Sequence, residues 1–183
     1  PTPMLTRRDA LLGAARIVDA VNRIGLEHQP GACATVGMLQ VRPNSRNVIP
    51  GSVFFTVDLR HPNDEVLSQM DTHLRKACES KATDIGLELE FEQILHSPAV
   101  VFDEGCVDAV RSGAISCNYT YLDIVSGAGH DACYVSRVAP TGMIFVPCEG
   151  GISHNEIENA TAGDLEAGCN VLLHSILEIA TQK

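Results

Sequence analysis

The sequence predicts an α+β fold, with two helices on one face of an antiparallel sheet, followed by a piece of an α/β layer. Three observations carry that reading. Residues 52–60 alternate Val53, Phe55, Val57 and Leu59 with Phe54, Thr56, Asp58 and Arg60, the period of two of a half-buried strand. Stretches on either side of the strands repeat apolar residues at helical spacing. Beyond Ser97-Pro98 the pattern changes to short helices separated by glycine-rich turns.

The first helix is expected from Thr6. Thr6-Arg7-Arg8-Asp9 reads as a capping box, with the Asp9 amide donating to the Thr6 hydroxyl and Asp9 answering the helix dipole. Leu11, Ala14, Ala15, Val18 and Val21 form its apolar stripe, and Gly25 with Gln29-Pro30-Gly31 ends it. Two strands follow, at 33–41 and 52–60, joined by the turn-rich residues 42–47. His61-Pro62-Asn63-Asp64-Glu65 opens a second helix whose stripe is Leu67, Met70, Leu74, Ala77 and Cys78. Leu87, Leu89 and Phe91 alternate with Glu88, Glu90 and Glu92, which predicts a third strand with an acidic outer face. The order helix–strand–strand–helix–strand is that of a ferredoxin-like β-α-β-β-α-β sandwich without its first strand.

The remainder predicts a short helix from Asp103 to about Ala114 and a turn at 126–131 that starts another. Residues 143–146 read as a short strand. A second capping box, Thr161-Ala162-Gly163-Asp164, opens a last helix striped by Leu165, Cys169, Leu172, Leu173, Ile176 and Ala180. The expected domains are 1–98 and 99–183. The first is expected to lack its N-terminal strand, and the second to be the closing part of a domain begun upstream, in a chain cut from something longer.

Composition narrows the function classes. Hydrophobic residues make up 45% of the 183, enough for a packed core, while aromatics are 4%. A formal charge of −10 with no basic stripe argues against nucleic acid and anionic membranes as partners. The seven cysteines are odd in number and contain no C-x-x-C, so they read as free thiols of a reducing cytosol. Neither a signal peptide nor a spanning apolar run is present, and a cytoplasmic location is expected.

Seven histidines offer candidates for chemistry. His28, His73, His96 and His174 read as surface or packing residues, and His61 as part of a helix start. His130 and His154 differ, because both sit in glycine-rich turns at apparent strand ends, where open α/β sheets place their sites. His154, in Gly150-Gly151-Ile152-Ser153-His154, is either a metal ligand or an ordinary loop histidine. His130 is either a donor to a developing oxyanion or part of a helix N-terminus with Asp131. Arg60 can grip a carboxylate through two parallel bonds, or it can pair with Asp58 or the Asp64-Glu65 cluster. Asn47 can add a donor to the same anion or simply shape its turn.

Taken together, these segments form a pattern. Residues 2–10, the loop Arg42-Pro43-Asn44-Ser45-Arg46-Asn47-Val48-Ile49-Pro50-Gly51 and the strand end Val57-Asp58-Leu59-Arg60 carry its first half. Ser126-Gly127-Ala128-Gly129-His130-Asp131-Ala132, Met143–Pro147 and Gly151-Ile152-Ser153-His154 carry the rest. In order and spacing they resemble the C-terminal half of N-carbamoyl-L-amino-acid amidohydrolases, of the hydantoinase/carbamoylase family of M20-type metallohydrolases. β-Ureidopropionase and allantoate amidohydrolase are relatives.

The resemblance implies a function and a set of roles. The family hydrolyses N-carbamoyl-L-amino acids to the amino acid, carbon dioxide and ammonia, using a hydroxide shared by two divalent ions (Zn, or Mn, Co or Ni). His154 would be a metal ligand. Gly129 and His130 would contact the carbamoyl group, His130 acting catalytically on the tetrahedral intermediate. Asn47 and Arg60 would bind the substrate carboxylate. The first domain would be a lid and dimerisation domain, giving a homodimer. The family's other metal ligands and its catalytic Glu have no counterpart here, so this chain alone is expected to be inactive and to supply at most one ligand. Other readings are a related M20-type enzyme (allantoate amidohydrolase, β-ureidopropionase or dipeptidase) and a non-catalytic dimerisation module.

Overall fold

The computed structural model describes residues 2–181. They divide into two compact units, Pro1–Ala99 and Val100–Lys183. The fold is α+β, and each unit has its own core.

In the first unit a 3-10 turn, Met4–Thr6, precedes α1 (Ala10–Glu27). The cap is Asp9 rather than Thr6. The Asp9 carboxylate accepts from the amides of Leu11 and Leu12 at 3.0 and 3.1 Å, while the Thr6 hydroxyl donates back to the Pro3 carbonyl. A carboxylate at the N-terminus satisfies two orphan amides and meets the positive end of the dipole, which a hydroxyl does less well. Strand β1 (Cys33–Arg42) pairs antiparallel with β2 (Ser52–Arg60), with Cys33 opposite Arg60 and Arg42 opposite Ser52. The register shifts between Val36 and Met38, a bulge at Gly37. Helix α2 (Asp64–Thr83) is capped by Asn63, which accepts from the amides of Glu65 and Val66.

The core lies between the helices and one sheet face. Ile17, Val21 and Ile24 of α1 meet Met70, Leu74 and Cys78 of α2, and Ala34, Val36, Phe55, Val57 and Leu59 pack beneath them. Met70 is 0% exposed, Val21 1% and Cys78 2%, so each contributes on the order of 1.5–3 kcal/mol of burial. Strand parity then sends Asp58 and Arg60 to the opposite, open face.

The predicted third strand is not formed. Among the described residues the sheet has two strands, and 87–91 has no ladder partner. The segment still packs: Leu87 lies against Gly13 of α1, and the Arg75 guanidinium lies 4.4 Å from the Phe91 ring centroid. The reason is topological. In a split β-α-β sheet the first strand lies between the third and the fourth, and no described strand precedes α1.

The second unit holds α3 (Glu104–Ser116), α4 (Ala132–Val135) and α5 (Ala162–Thr181). Helices α3 and α5 touch closely at Gly113, where a Cβ would meet the Val171 carbonyl oxygen at 3.0 Å and Ser175 Oγ at 3.2 Å. The buried Ser175 hydroxyl bonds to the carbonyls of Val171 (2.7 Å) and Ala109 (3.2 Å). The predicted apolar stripe of α5 is therefore not its packed face. Leu165, Leu172, Leu173 and Ile176 are 50–56% exposed, while Val171 and Ser175 are buried. Apolar residues surround this helix, and α3 covers only one side of it. Residues 143–146, predicted as a strand, likewise form none among the described residues. Thr161 does begin α5 as expected, accepting from the Asp164 amide at 3.1 Å. No helix of the described residues is long and apolar enough to cross a membrane.

Candidate functional site

In the first unit the candidate residues stand on the hairpin. Arg60 closes β2, and its guanidinium forks onto Asp58, with Nε to Oδ1 and Nη2 to Oδ2 both at 2.8 Å. This is the pairing weighed against carboxylate binding, and it is present. The hydrogen bonds and charge of Arg60 hold the Asp58 carboxyl below its ordinary range, and Asp58 in turn raises Arg60. Both side chains are about half exposed, so the pair orients the guanidinium while adding only about 0.2–1 kcal/mol to stability.

Asn47 sits in the turn between the strands, where the Ser45 hydroxyl donates to its Oδ1 at 3.3 Å. The Ala10 amide ties this connection to α1 through the Pro50 carbonyl at 3.1 Å, and the Gly51 amide closes it onto the Arg42 carbonyl at 3.0 Å. Strand β2 rises about 3.3 Å per residue, so some 26 Å of strand separates Ser52 from Arg60. Within one chain, Asn47 and Arg60 lie at opposite ends of the hairpin.

In the second unit the turn 126–131 leads into α4. His130 Nε2 lies 2.6 Å from Ser126 Oγ, and its ring stands edge-on to Phe145 with centroids 5.6 Å apart. Gly129 beside it is exposed, and a Cβ there would meet nothing within 4 Å, so the backbone is open to close approach by a ligand. The imidazole is thus hydrogen-bonded at Nε2, packed beside Phe145 and part-exposed.

His154 lies in a loop cross-tied at its base. The Glu149 amide donates to the Asn159 carbonyl at 2.7 Å, and Asn159 Nδ2 donates to the Glu149 carboxylate at 2.8 Å. Gly150 and Gly151 turn the chain at φ +63° and +68°. His154 itself has φ +56°, which costs a residue with a Cβ about 1 kcal/mol or more. The Glu158 carboxylate holds it there, accepting from the His154 amide at 2.8 Å. A strained backbone fixed by a specific partner directs a side chain, and here it leaves the imidazole exposed.

His154 is of a residue type chemically suited to a divalent ion. No group of three or more His, Cys, Asp or Glu that could hold a metal occurs among the described residues. A catalytic ion needs about three protein ligands. The histidines set aside on sequence have local duties: His28 bonds to the Ile24 carbonyl and His61 to the Asn63 amide. Sequence reasoning missed Glu158 and the tie from Ser126. The only available signals were a carboxylate four residues after His154 and a hydroxyl four before His130.

Comparison with known proteins extends this geometry. The model of peptidase family M20/M25/M40 matches residues 8–178. An N-carbamoyl-L-amino-acid amidohydrolase of Rhizobium meliloti is 43% identical over 98% of this chain and 43% of its own length. An allantoate amidohydrolase of Bacillus subtilis is 31% identical over 98% of this chain and 43% of its own. The crystal structure of a hydantoinase/carbamoylase family amidase from Burkholderia multivorans superposes with a TM-score of 0.93 at 65% identity, over 97% of this chain and 43% of that one. The chain therefore spans less than half the length of these relatives, and it belongs to peptidase family M20/M25/M40.

Proposed function

We propose that the polypeptide to which this chain belongs hydrolyses N-carbamoyl-L-amino acids, and that this chain supplies most of the groups that recognise the substrate. The observation that carries the reading is the coincidence of a chain-long 43% identity to such an enzyme with polar groups suited to both ends of a ureido acid. Arg60 suits the carboxylate, as a guanidinium oriented by Asp58 that a second carboxylate would join or take over. Gly129 and His130 suit the carbamoyl group, through an open backbone and a donor imidazole.

In this reading water adds to the carbamoyl carbon and the oxygen takes up negative charge. A hydrogen bond from His130 to that oxygen would strengthen as the charge grows, which lowers the barrier. Release of ammonia leaves a carbamate, which loses carbon dioxide to give the free amino acid. His154 would contribute one ligand to a pair of divalent ions, zinc or a similar metal. The remaining ligands and the proton-transferring Glu would come from the rest of the polypeptide, so this chain alone would be inactive.

The hairpin geometry gives the proposed homodimer a chemical role. Because Asn47 and Arg60 of one chain stand at opposite ends of the hairpin, an Asn47 that meets the same carboxylate would belong to a second copy. The first unit would then serve as lid and dimerisation domain, in a cytoplasmic enzyme.

The similarity to allantoate amidohydrolases favours one competing reading, with a different ureido acid as substrate. Ammonia release by the full-length protein decides between them. The proposal expects kcat/KM for an N-carbamoyl-L-amino acid at least tenfold above that for allantoate and for dipeptides. A preference for allantoate or for dipeptides would replace it.

A further inference from the structure

Ser126 is the one polar side chain on the imidazole of His130 that no role above uses. Its Oγ lies 2.6 Å from His130 Nε2 and also accepts from the Ala128 amide at 3.2 Å. A hydroxyl has one proton to donate and two lone pairs. The Ala128 N–H takes one of the two lone pairs, and the hydroxyl proton is available for donation to the imidazole at 2.6 Å. In that arrangement Nε2 accepts, and the neutral ring carries its proton on Nδ1. Phe145 packs beside the ring at an interplanar angle of 67°, with centroids 5.6 Å apart.

We infer that Ser126 is a positioning residue that locks His130 in the Nδ1–H tautomer and so determines which ring nitrogen is offered as donor to the substrate oxygen. The inference rests on the proposed role of His130 and adds the group that makes His130 a donor in one direction. Without the hydroxyl, both neutral tautomers become accessible and the ring turns more freely. In the fraction with Nδ1 unprotonated, an acceptor lone pair faces the developing negative oxygen. The consequence falls on the transition state more than on the bound substrate, because the oxygen's charge is largest there.

The test uses the full-length enzyme with 15N-labelled histidine, as wild type, Ser126→Ala, Ser126→Thr and His130→Ala. The His130→Ala spectrum assigns the His130 signals by their disappearance. Wild type and Ser126→Thr should show protonated Nδ1 and unprotonated Nε2, and Ser126→Ala should show the Nε2–H form or an average. In kinetics, Ser126→Ala should lower kcat about tenfold with KM changed less than threefold, and Ser126→Thr should stay within threefold of wild type. A wild-type Nε2–H tautomer would overturn the inference, as would a tautomer and kcat both unmoved by Ser126→Ala. His130→Ala separates the two claims. An unchanged kcat there removes His130 from the reaction and Ser126 with it. A large loss there, with none in Ser126→Ala, removes Ser126 alone.

Discussion

Replacing Arg60 with Ala in the full-length enzyme should weaken binding of carboxylate-bearing substrates severely, and the structure sets the size. Arg60 Nε and Nη2 already bond Asp58 at 2.8 Å each, and a guanidinium has five N–H donors, so a substrate carboxylate would join or displace Asp58 on it. Losing charge-assisted bonds of that geometry to a bound substrate costs about 2–5 kcal/mol. Removal of Arg60 also exposes Asp58 as an unneutralised negative charge beside the incoming anion. At a separation of about 5 Å that repulsion adds roughly 0.8 kcal/mol in water. Together these come to about 3–6 kcal/mol, a rise in KM of roughly a hundredfold or more at about 1.4 kcal/mol per decade. Because the carboxylate is held alike in the ground and transition states, kcat should fall less than threefold. Arg60→Lys should lie between wild type and Ala, since it keeps the charge but loses the fork.

Stability provides an internal control for Arg60. The Asp58–Arg60 pair is half exposed, so Arg60→Ala should change folding free energy by no more than about 1 kcal/mol at pH 7. The Asp58 pKa is depressed in the folded state, so this contribution is present above the unfolded value near 3.9 and is lost as pH falls through the folded value. The stability difference between variant and wild type should therefore vanish in acid. Michaelis kinetics on an N-carbamoyl-L-amino acid, with thermal unfolding on the same samples, reads all of these quantities. A KM within twofold of wild type in a folded Arg60→Ala enzyme would refute the carboxylate assignment.

Three further outcomes follow from the geometry. Co-expressed Asn47→Ala and Arg60→Ala chains should recover activity: a mixed dimer whose sites draw these residues from different copies keeps one intact site, so random pairing yields about a quarter of wild-type activity by twofold symmetry. Recovery no better than the sum of the single variants would place both residues of a site in one chain. Gly113→Val should destabilise the second unit by about 1–3 kcal/mol, because even a Cβ meets the Val171 carbonyl oxygen at 3.0 Å, and urea unfolding followed by a probe in α5 should show it. Cys78 should be the slowest of the cysteines to alkylate in the native protein at pH 8, since it is 2% exposed and burial pushes its thiol up to about 11; labelling at the rate of exposed Cys33 or Cys169 would contradict that.

The parts of the fold legible in the sequence are those whose pattern is local. Alternation in 52–60 set both the strand and its buried face, and the stripe of Met70, Leu74 and Cys78 placed α2 on it. The parts that were misread depend on neighbours. Residues 87–91 alternate like a strand, but a ladder needs a second chain segment beside it, and none is among the described residues. Apolar residues nearly surround α5, so periodicity cannot select its packed face, which Gly113 of α3 decides by allowing close approach. The start of α1 was misplaced because Thr6 and Asp9 both fit a cap, and only the geometry shows which side chain reaches the free amides. At the candidate site, residue types pointed to His130, His154 and Arg60, and the i, i−2 spacing on one strand face pointed to Asp58 as a partner of Arg60. Ser126 and Glu158 acquire meaning only when the turn and the cross-tied loop bring a polar atom within 3 Å of each.

The most direct measurement is a crystal structure of the full-length enzyme with an N-carbamoyl-L-amino acid held in an inactive variant. The Arg60 guanidinium should lie within about 3.2 Å of the ligand carboxylate, and His130 within the same distance of the carbamoyl oxygen. A ligand whose carboxylate is held by other groups, with Arg60 bonded to Asp58 alone and His130 turned from the carbamoyl group, would contradict the account.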